Sequence, residues 1–406
     1  MLLEVAVVMA LKTARVIDLL DRKHDAFANF DSDAVYRRQL YQKALRQLLD
    51  LNSLAIAQRL AGETAPGALP TSEWDRYRHW RVPFKARWNN REESLKWVGD
   101  TIEGVPTFAV DGSQLCLGKD VSIPVALVQV GWYENHHCQA GSYDKDIWLE
   151  VLAPDDLEAS SSGEPREQRV HLRRFQLECD RLVQYLRDRA GCDRCLTFFD
   201  GALVATFAEA YDPSVRKTYV QSLLPLLRAS EDNRVPLVAY VDTTYTRDLT
   251  AMLKHLFDLP DAPQIHDAQL IDSMLKWGDR TPLFICARGG SQRGQDSILT
   301  DYAEMRDRVG FIYLKTNGDN YPVRLELPLW MHEAGLLDWV VDIVRCEVII
   351  GKGYPYAIET ADRTAVLRAE DRSTFMRVLQ DWSQRHELDL RLSRKMTSKL
   401  RRRRVR

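Results

Sequence analysis

Short apolar runs in two successive arrangements constrain the fold of this chain more than any other feature. The first three runs are joined only by short polar loops, a pattern typical of an antiparallel meander. They are residues 107–112, 124–133 and 146–153. The later runs alternate with segments of helical periodicity. The strands are 196–200, 235–241 and 282–287, and the intervening helices are 214–230 and 247–258. A meander followed by strand–helix alternation predicts an α/β fold with one mixed β-sheet flanked by helices.

The pattern divides the chain into three predicted regions. Residues 1–100 have mainly helical periodicity and end in a segment rich in aromatic and basic residues. Residues 101–385 hold all the predicted strands and form the central domain. Residues 386–406 form a basic C-terminal tail. The other elements predicted in the central domain are strands 309–316 and 323–330 and helices 166–191, 336–350 and 357–382.

Composition indicates a soluble globular protein with a sizeable core. Hydrophobic residues make up 45% of the chain and charged residues 28%, which is ordinary for such proteins. No segment approaches the roughly 20 uninterrupted apolar residues of a membrane span. The apolar N-terminal stretch contains Glu4, Lys12 and Arg15 and lacks the basic start and cleavage site of a secretory signal. We therefore expect a cytoplasmic protein without a membrane partner.

The seven cysteines do not form a recognisable framework. An odd, scattered set suits a reducing compartment better than disulfides. Cys192 and Cys195 form a lone CxxC pair, whereas a structural zinc site needs a second pair at suitable spacing. The crowded run at 136–138, two histidines and a cysteine, does not supply one. Reduced thiols are the favoured interpretation.

Charge is distributed unevenly along the chain. The last 16 residues carry nine Lys or Arg and no acid, including Arg401, Arg402, Arg403 and Arg404. The formal net charge is −2, so the rest of the chain sums to −11. This acidity does not indicate duplex binding over the whole surface. The tail is either a contact for a polyanion or partner protein or a solvated, disordered segment.

Residues 74–98 interleave six aromatic residues with seven Lys or Arg. Aromatic rings that stack bases, alternating with cations that meet phosphates, are typical of single-strand binding. Tryptophans are, however, usually at least partly buried. Packing of the aromatics against the next domain, with the cations on the surface, is therefore the favoured interpretation.

Several acidic residues end apolar runs or lie within an apolar stripe. They are Asp111, Glu178, Asp200 and Asp242. Ligands of an open sheet collect beyond the carboxyl ends of its strands, so Asp111 and Asp200 on neighbouring strands would face one cleft. Glu178 lies on the helix 22 residues before Asp200, which is enough chain to descend the helix and return along the strand. Lys315 ends another predicted strand and could hold a phosphate.

Three converging carboxylates repel one another unless a cation neutralises them. Mg²⁺ or Mn²⁺ prefers oxygen ligands, and two such ions can hold the attacking water and the leaving oxygen of a phosphodiester. The glycine after each aspartate would leave room for a phosphate backbone. Asp–Gly after a strand is also a common turn signal, so a turn and a metal site both stay open as interpretations of this spacing.

Six motifs occur in an order that resembles the NurA family of DNA-repair nucleases. They are VPTFAVDGSQ, RRFQLECDRL, LTFFDGAL, VAYVDTTYTRDL, GFIYLKT with PVRLELPLW, and GYPYAIETADRTAVL. The resemblance covers about residues 100–380. It is specific as an ordered set, although each motif alone is not.

The resemblance implies a ribonuclease-H-like core and Mn²⁺-dependent cleavage of DNA, with 5′-to-3′ exonuclease and single-strand endonuclease activity. It implies a toroidal homodimer and a hexameric HerA ATPase that moves duplex DNA toward the nuclease for end resection in double-strand break repair. Carried over by motif, Asp111, Glu178 and Asp200 resemble the metal-binding triad, with Mn²⁺ or Mg²⁺ as cofactor and two ions per site.

One position departs from the family pattern. Many members have a histidine after the GYP motif, where this chain has Ala361 followed by Asp362. A general-acid or leaving-group role for that histidine has no obvious occupant here, and Asp362 or Glu359 could bind metal instead. Tyr240 and Asp242 are weaker candidates for DNA or metal contacts.

Three functions remain open from the sequence. The leading hypothesis is a metal-dependent DNA nuclease that works with a HerA-type motor. The absent histidine motivates a second, a catalytically weak NurA-like subunit that binds the motor and threads DNA. The third is an RNA-directed member of the ribonuclease-H-like group.

Overall fold

The computed structural model describes residues 11–77, 79–117, 121–157, 166–290, 297–391 and 393. Nine strands in this part of the chain form one sheet. They are β1 Gly67–Pro70, β2 Thr107–Cys116, β3 Ala126–Asn135, β4 Tyr143–Leu152, β5 Leu196–Asp200, β6 Leu237–Val241, β7 Phe284–Ala287, β8 Val309–Leu314 and β9 Val323–Pro328. Their order across the sheet is β1-β7-β8-β9-β6-β5-β2-β3-β4.

Strand direction divides the sheet into a parallel centre and antiparallel sides. β5 pairs in parallel with β2 on one side and with β6 on the other. β2, β3 and β4 form the antiparallel meander that the sequence predicts. The predicted mixed α/β sheet is therefore confirmed, while its ribonuclease-H-like assignment stays a prediction.

Helices cover both faces of the sheet. They are α1 Thr13–Asp21, α2 His24–Leu48, α3 Ser53–Leu60, α4 Glu73–Arg76, α5 Arg91–Ile102, α6 Pro154–Leu157, α7 Arg166–Asp188, α8 Pro213–Asn233, α9 Asp248–Phe257, α10 Asp267–Ile271, α11 Trp330–Glu333, α12 Leu337–Ile350, α13 Tyr356–Ala365 and α14 Ala369–Arg385. In the described part of the chain, no helix is both long and apolar enough to cross a bilayer.

The central strands alternate their side chains between two cores. Phe108 and Val110 of β2 belong to the core that includes the apolar faces of α7 and α8. Ala109, between them, belongs to the core formed with α12 and α13. This period of two residues follows from the pleat of a strand that is buried on both faces. It also fixes which face each later residue of the strand reaches.

The predicted helix over 357–382 is wrong as one continuous element, since α13 and α14 are separate. Arg368 has extended backbone angles and caps α14, and its N–H donates to the Asp371 carboxylate at 2.7 Å. In the connection, the Leu367 N–H donates to Ser113 Oγ at 3.2 Å. A capping interaction therefore ends the helical run although the apolar periodicity continues.

The N-terminal region contributes more than helices. β1 is the edge strand of the sheet, pairing antiparallel with β7 from Gly67 to Pro70. α3 packs on β1 and on α9. The sequence pattern gave no strand here. The division of the chain into residues 1–100, 101–385 and 386–406 stays a prediction, and most of the basic tail lies outside the described residues.

The aromatic residues of 74–98 pack into the protein. Trp74 and Trp80 are 0% and 3% exposed and contact Phe284 of β7, with ring centroids 6.0 and 5.7 Å away. Trp88 and Trp97 lie 5.3 Å apart in a second ring cluster. These contacts agree with the packing interpretation and leave these rings poorly placed to stack on bases.

Candidate metal centre

The centre lies where the parallel pairing of β2 and β5 ends. The two strands pair up to the residues just before Asp111 and Asp200, so these aspartates are neighbours across the strands. Asp200 is the last residue of β5, and Gly201 follows with a φ of +135°. β2, by contrast, continues to Cys116 in unbroken pairing with β3. The turn interpretation of Asp–Gly is therefore correct at Asp200 and wrong at Asp111.

Strand alternation directs both aspartates toward α13. Ala109 and Phe198, two residues before Asp111 and Asp200, belong to the core on the α12–α13 face, so the aspartates are directed to the same face. There Asp362 of α13 is near enough to raise the pKa of Asp111 and, through its charge, that of Asp200. Three aspartates from three elements therefore gather at this edge, although their ligand atoms do not all lie within 4.8 Å of one another.

Glu178 approaches from α7, on the opposite face, through a gap at Gly112. The Glu178 side chain is buried, and a Cβ at residue 112 would overlap its Oε1 and lie 2.7 Å from Cγ of Arg174. The absent side chain at Gly112 thus admits Glu178 to the centre. The expected space for a DNA backbone beside Gly112 is occupied by the protein's own Glu178 and Arg174.

Arg174 is the cation of the centre. Its guanidinium donates to the Glu178 carboxylate, one helical turn away, and to the Gly112 carbonyl oxygen at 3.2 Å. Even so, burial raises the pKa of Glu178 to about 8, and the charges of Asp111 and Asp200 add to the effect. A proton on Glu178 is consequently favoured at neutral pH when no cation other than Arg174 is near.

The two strand aspartates are also shifted toward protonation. Burial raises the pKa of Asp111 to about 6, opposed by a hydrogen bond from the Gly112 N–H and reinforced by Asp362. Burial likewise raises the pKa of Asp200, while the Tyr354 hydroxyl, which donates to its Oδ1 at 3.0 Å, opposes the shift. The centre accumulates negative charge that the protein itself only partly neutralises.

Asp111, Glu178 and Asp200 line one cavity of about 650 Å³. Gly201, Phe207 and Tyr211 form part of its wall, and Arg174 reaches into it. The carboxylates therefore face a space large enough for an ion with water and a phosphate group.

The donor set fits a hard divalent cation. Carboxylate oxygens are the ligands that Mg²⁺ and Mn²⁺ prefer, and the ion would replace the protons that the raised pKa values retain. Asp111, Asp200 and Asp362 would hold the ion from the α13 face, and Glu178 would reach it from the α7 face. Tyr354 would orient Asp200 through its hydrogen bond.

Two other predicted contact residues have different partners. The Lys315 ammonium donates to Asp272 Oδ1 at 2.5 Å and to the Asn320 carbonyl at 2.6 Å, and the residue is 5% exposed. Glu359 accepts from Arg363 one turn along α13. Of the two acids suggested as replacements for the family histidine, Asp362 is therefore the one beside Asp111.

Tyr240 and Asp242 lie close to the centre in different ways. Tyr240 is fully buried, with its ring 5.2 Å from that of Tyr354, and so supports the residue that contacts Asp200. Asp242 is exposed at the end of β6, and its charge adds to the rise in the pKa of Asp200. Arg401, Arg402, Arg403 and Arg404 lie outside the described residues.

Two side chains of the candidate centre, Arg174 and Tyr354, are not predicted from the sequence. Arg174 could have been found from its spacing, because a basic residue four positions before an acid on a helix forms an ion pair. Tyr354 lies in a loop between α12 and α13, and no periodic pattern indicates its contact with Asp200.

A second group with metal-ligand atoms lies at the far edge of the sheet. Glu134, His136 and Asp144 each offer a ligand atom within 4.8 Å of the others. Glu134 already accepts hydrogen bonds from Tyr185 at 2.7 Å and Arg189 at 2.5 Å, and His136 lies 2.9 Å from Asp144. These contacts account for the cluster without an ion.

The Gly112→Ala substitution should separate the two halves of the centre. The new methyl group overlaps Oε1 of buried Glu178 and Cγ of Arg174, so both side chains must shift, and we expect the unfolding free energy to fall by about 1–3 kcal/mol. The dissociation constant for Mn²⁺ should rise by roughly 10- to 100-fold, because Glu178 is pushed away from the aspartates. Isothermal titration calorimetry and denaturant unfolding measure the two effects.

Gly99→Ala is the matched control, since a Cβ there meets nothing within 4 Å, and it should leave Mn²⁺ affinity unchanged. Unaltered affinity in the Gly112 variant would contradict the proposed approach of Glu178.

The raised pKa values predict the pH dependence of folding without metal. Between the ordinary pKa of a carboxyl group and the raised value, the folded chain holds protons that the unfolded chain has released, so stability falls as pH rises through this window. The pKa of Asp111 is about 6, so the Asp111→Asn variant and the wild type should have the same free energy of unfolding near pH 4. At pH 8 the variant should be more stable by about 1–3 kcal/mol.

Denaturant unfolding at both pH values, with EDTA, provides the measurement. Asp258→Asn, at an exposed helix end, should not show this difference. A less stable Asp111→Asn at pH 8 would mean that the carboxylate is favourable in the metal-free fold.

Solved structures that are similar to this chain include three of NurA proteins. "Crystal structure of NurA with manganese" has a TM-score of 0.41 and 10% identity, covering 71% of this chain and 96% of that one. "Crystal structure of NurA bound to dAMP and manganese" has a TM-score of 0.40 and 11% identity, with coverage of 70% and 92%. "Crystal structure of NurA" has a TM-score of 0.40 and 10% identity, with coverage of 68% and 89%. No curated protein matches the chain.

Family membership rests on a different comparison. The family model described as the NurA domain matches residues 105–367. This range begins just before β2, ends in the connection after α13, and contains Asp111, Glu178, Asp200 and Asp362. Because it spans well over half of the sequence, the chain belongs to the NurA family.

Proposed function

We propose that this chain is a metal-dependent nuclease that hydrolyses phosphodiester bonds in DNA. Membership of the NurA family supports a nuclease-like role. The observation that carries the proposal is the meeting of four carboxylates at one edge of the sheet, with raised pKa values at three of them. Such a centre is costly to an apo protein and is useful once a cation is present.

The cation would be Mn²⁺ or Mg²⁺, with two ions per site as the fuller form of the proposal. When bound, such an ion polarises the scissile phosphate and lowers the pKa of the attacking water. Asp111 and Asp200 would hold the ion, and Asp362 would add a third oxygen ligand.

The remaining side chains would position the reactants. Glu178 faces the cavity from the α7 side, where its carboxylate orients the attacking water and accepts its proton as the new P–O bond forms. Arg174, which lines the same cavity, is placed to donate to a non-bridging phosphate oxygen. The old P–O bond breaks on the opposite side of the phosphorus, and solvent protonates the departing oxygen.

In the finer form of the proposal, the chain acts as a 5′-to-3′ exonuclease and single-strand endonuclease. It does so as a homodimer with a HerA-type hexameric ATPase, processing DNA ends in double-strand break repair. Co-purification with the ATPase and the mass of the assembly in solution test this part independently of cleavage.

A catalytically weak subunit is the second candidate function. The observation that favours it is Asp362 at the position where a histidine is expected. Mn²⁺ binding without cleavage, together with stimulation of the ATPase, would support this function over the nuclease.

Removal of either strand aspartate should abolish DNA cleavage. We expect Asp111→Asn and Asp200→Asn each to lower the rate on single-stranded and resected linear DNA in Mn²⁺ by at least roughly 100-fold, since both hold the ion that polarises the phosphate. Asp258→Asn is the matched surface control and should retain the wild-type rate. Cleavage that survives in both strand variants would show that these aspartates do not form the active site, and a wild-type chain that does not cleave DNA in Mn²⁺ would overturn the nuclease proposal.

The two acids of α13 provide a sharper comparison. Asp362→Asn should weaken Mn²⁺ binding by about 10-fold or more, because its carboxylate adjoins Asp111. Glu359→Gln, on the same helix, should leave Mn²⁺ affinity unchanged because Glu359 is paired with Arg363. Calorimetric titration of both variants decides the matter, and the reverse order of effects would assign the ligand to Glu359.

A further inference from the structure

A second cavity, which we call the side groove, adjoins the cavity of the metal centre. The side groove has a volume of about 560 Å³ and is lined by residues of the loop between β6 and α9, by α9 itself and by residues 288–290. Phe207 lines both cavities and therefore lies between them. Its side chain is 47% exposed on the turn that follows β5. A chain molecule bound at the metal centre would reach the side groove by passing over the exposed Phe207 ring.

A second exposed ring stands further along the side groove. Tyr245 is 71% exposed, although its loop is firmly held. The Tyr245 carbonyl accepts from His266 Nδ1 at 3.1 Å. Thr246 bonds to Thr244 and, at 2.7 Å, to the Tyr313 hydroxyl. An exposed aromatic ring on a rigid support is a ready platform for stacking and loses little entropy on binding.

Positive charge in the side groove is concentrated on one residue. Arg288 is paired with Asp248 at 2.6 Å, and Lys254 is paired with Asp261. Arg247 is exposed, and its guanidinium makes no ion pair within the described part of the chain. The first amides of α9 already donate to Asp267 at 2.9 and 2.8 Å. A bound phosphate would therefore be met by Arg247.

The cavity on the other side of the loop between β6 and α9 is acidic. Thr243, Thr244 and Tyr245 line it together with Asp242 and Asp319, and its lining contains no Lys or Arg. A polyanion would be repelled there. The side groove is the direction in which a nucleic acid strand can leave the metal centre with favourable electrostatics.

We propose that the side groove binds the nucleotides next to the scissile phosphate of single-stranded DNA, stacking bases on Phe207 and Tyr245 and pairing a phosphate with Arg247. This inference rests on the proposed nuclease function and names the substrate form for the same site. The strand is single because stacking on two protein rings requires unpaired bases.

The test uses the full chain in the Asp111→Asn background, with Mn²⁺ and a labelled 20-nucleotide oligo-dT followed by fluorescence anisotropy. Phe207→Ala and Tyr245→Ala should each weaken binding by roughly 5- to 100-fold. Arg247→Gln should weaken binding of the oligonucleotide. The number of counterions released on binding, measured from the salt dependence of the binding constant, should fall by about one. The same substitutions can also be made in the chain that retains Asp111. There they should lower the ratio of kcat/KM for long oligonucleotides to kcat/KM for short ones.

Two tyrosines serve as controls. Tyr321, 52% exposed, lines the acidic cavity but not the side groove, and Tyr143, 52% exposed, lies on β4. Alanine at either position should leave binding unchanged. Equal loss from Tyr321→Ala would place the strand in the acidic cavity and overturn the inference, as would tighter binding of an RNA oligonucleotide of matched sequence.

The inference and the nuclease proposal fail in different ways. If the wild-type chain cleaves single-stranded DNA while the Tyr245 and Arg247 variants bind it as tightly as their parent, the side groove is wrong and the nuclease stands. If the wild-type chain neither cleaves nor binds DNA in Mn²⁺, both fail. Thermal unfolding of each variant distinguishes lost binding from lost folding.

Discussion

The end of the parallel pairing between β2 and β5 is the constraint on which the metal centre depends. It places Asp111 and Asp200 side by side, and the alternation of the strands directs both toward α13, where Asp362 lies. The helix on the other face contributes Glu178 only because residue 112 has no side chain. The centre is thus assembled from both faces of one sheet, and each contribution follows from strand register.

Charges are balanced differently around buried Arg324 than in the candidate metal centre. Fully buried Arg324 lies between Asp248 at 2.8 Å and Glu326 at 2.7 Å, so each charge has an opposite partner. In the candidate metal centre, Arg174 is the cation that acts on three carboxylates, those of Glu178, Asp111 and Asp200. Glu178 is buried, and a buried carboxylate that is only partly neutralised costs stability. A divalent cation would supply the missing positive charge, which links folding stability to metal supply.

Much of this could be predicted from the sequence, and the reasons for the exceptions are physical. Apolar periodicity located the strands and most helices, since each element must bury one or two faces. The sequence pattern placed Asp111 at the end of a strand, because Gly112 and Ser113 resemble a turn. In the structure, the pairing of β2 with β3 extends the strand beyond these residues. Strand β1 was missed because four residues at a sheet edge carry little periodic signal. Contacts between distant loops, such as Tyr354 with Asp200, leave no local pattern at all.

The two strand aspartates differ in how firmly their backbones are held. Asp111 lies within a strand that continues on both sides of it, paired with β3 along its full length. Asp200 ends its strand, and the chain bends away at once through Gly201. The Asp111 carboxylate is consequently anchored in the sheet, whereas the Asp200 carboxylate can shift with its backbone. If both were to bind one ion, coordination distances would adjust by movement at the end of β5, and ions of different radius would be accommodated without disturbing the sheet.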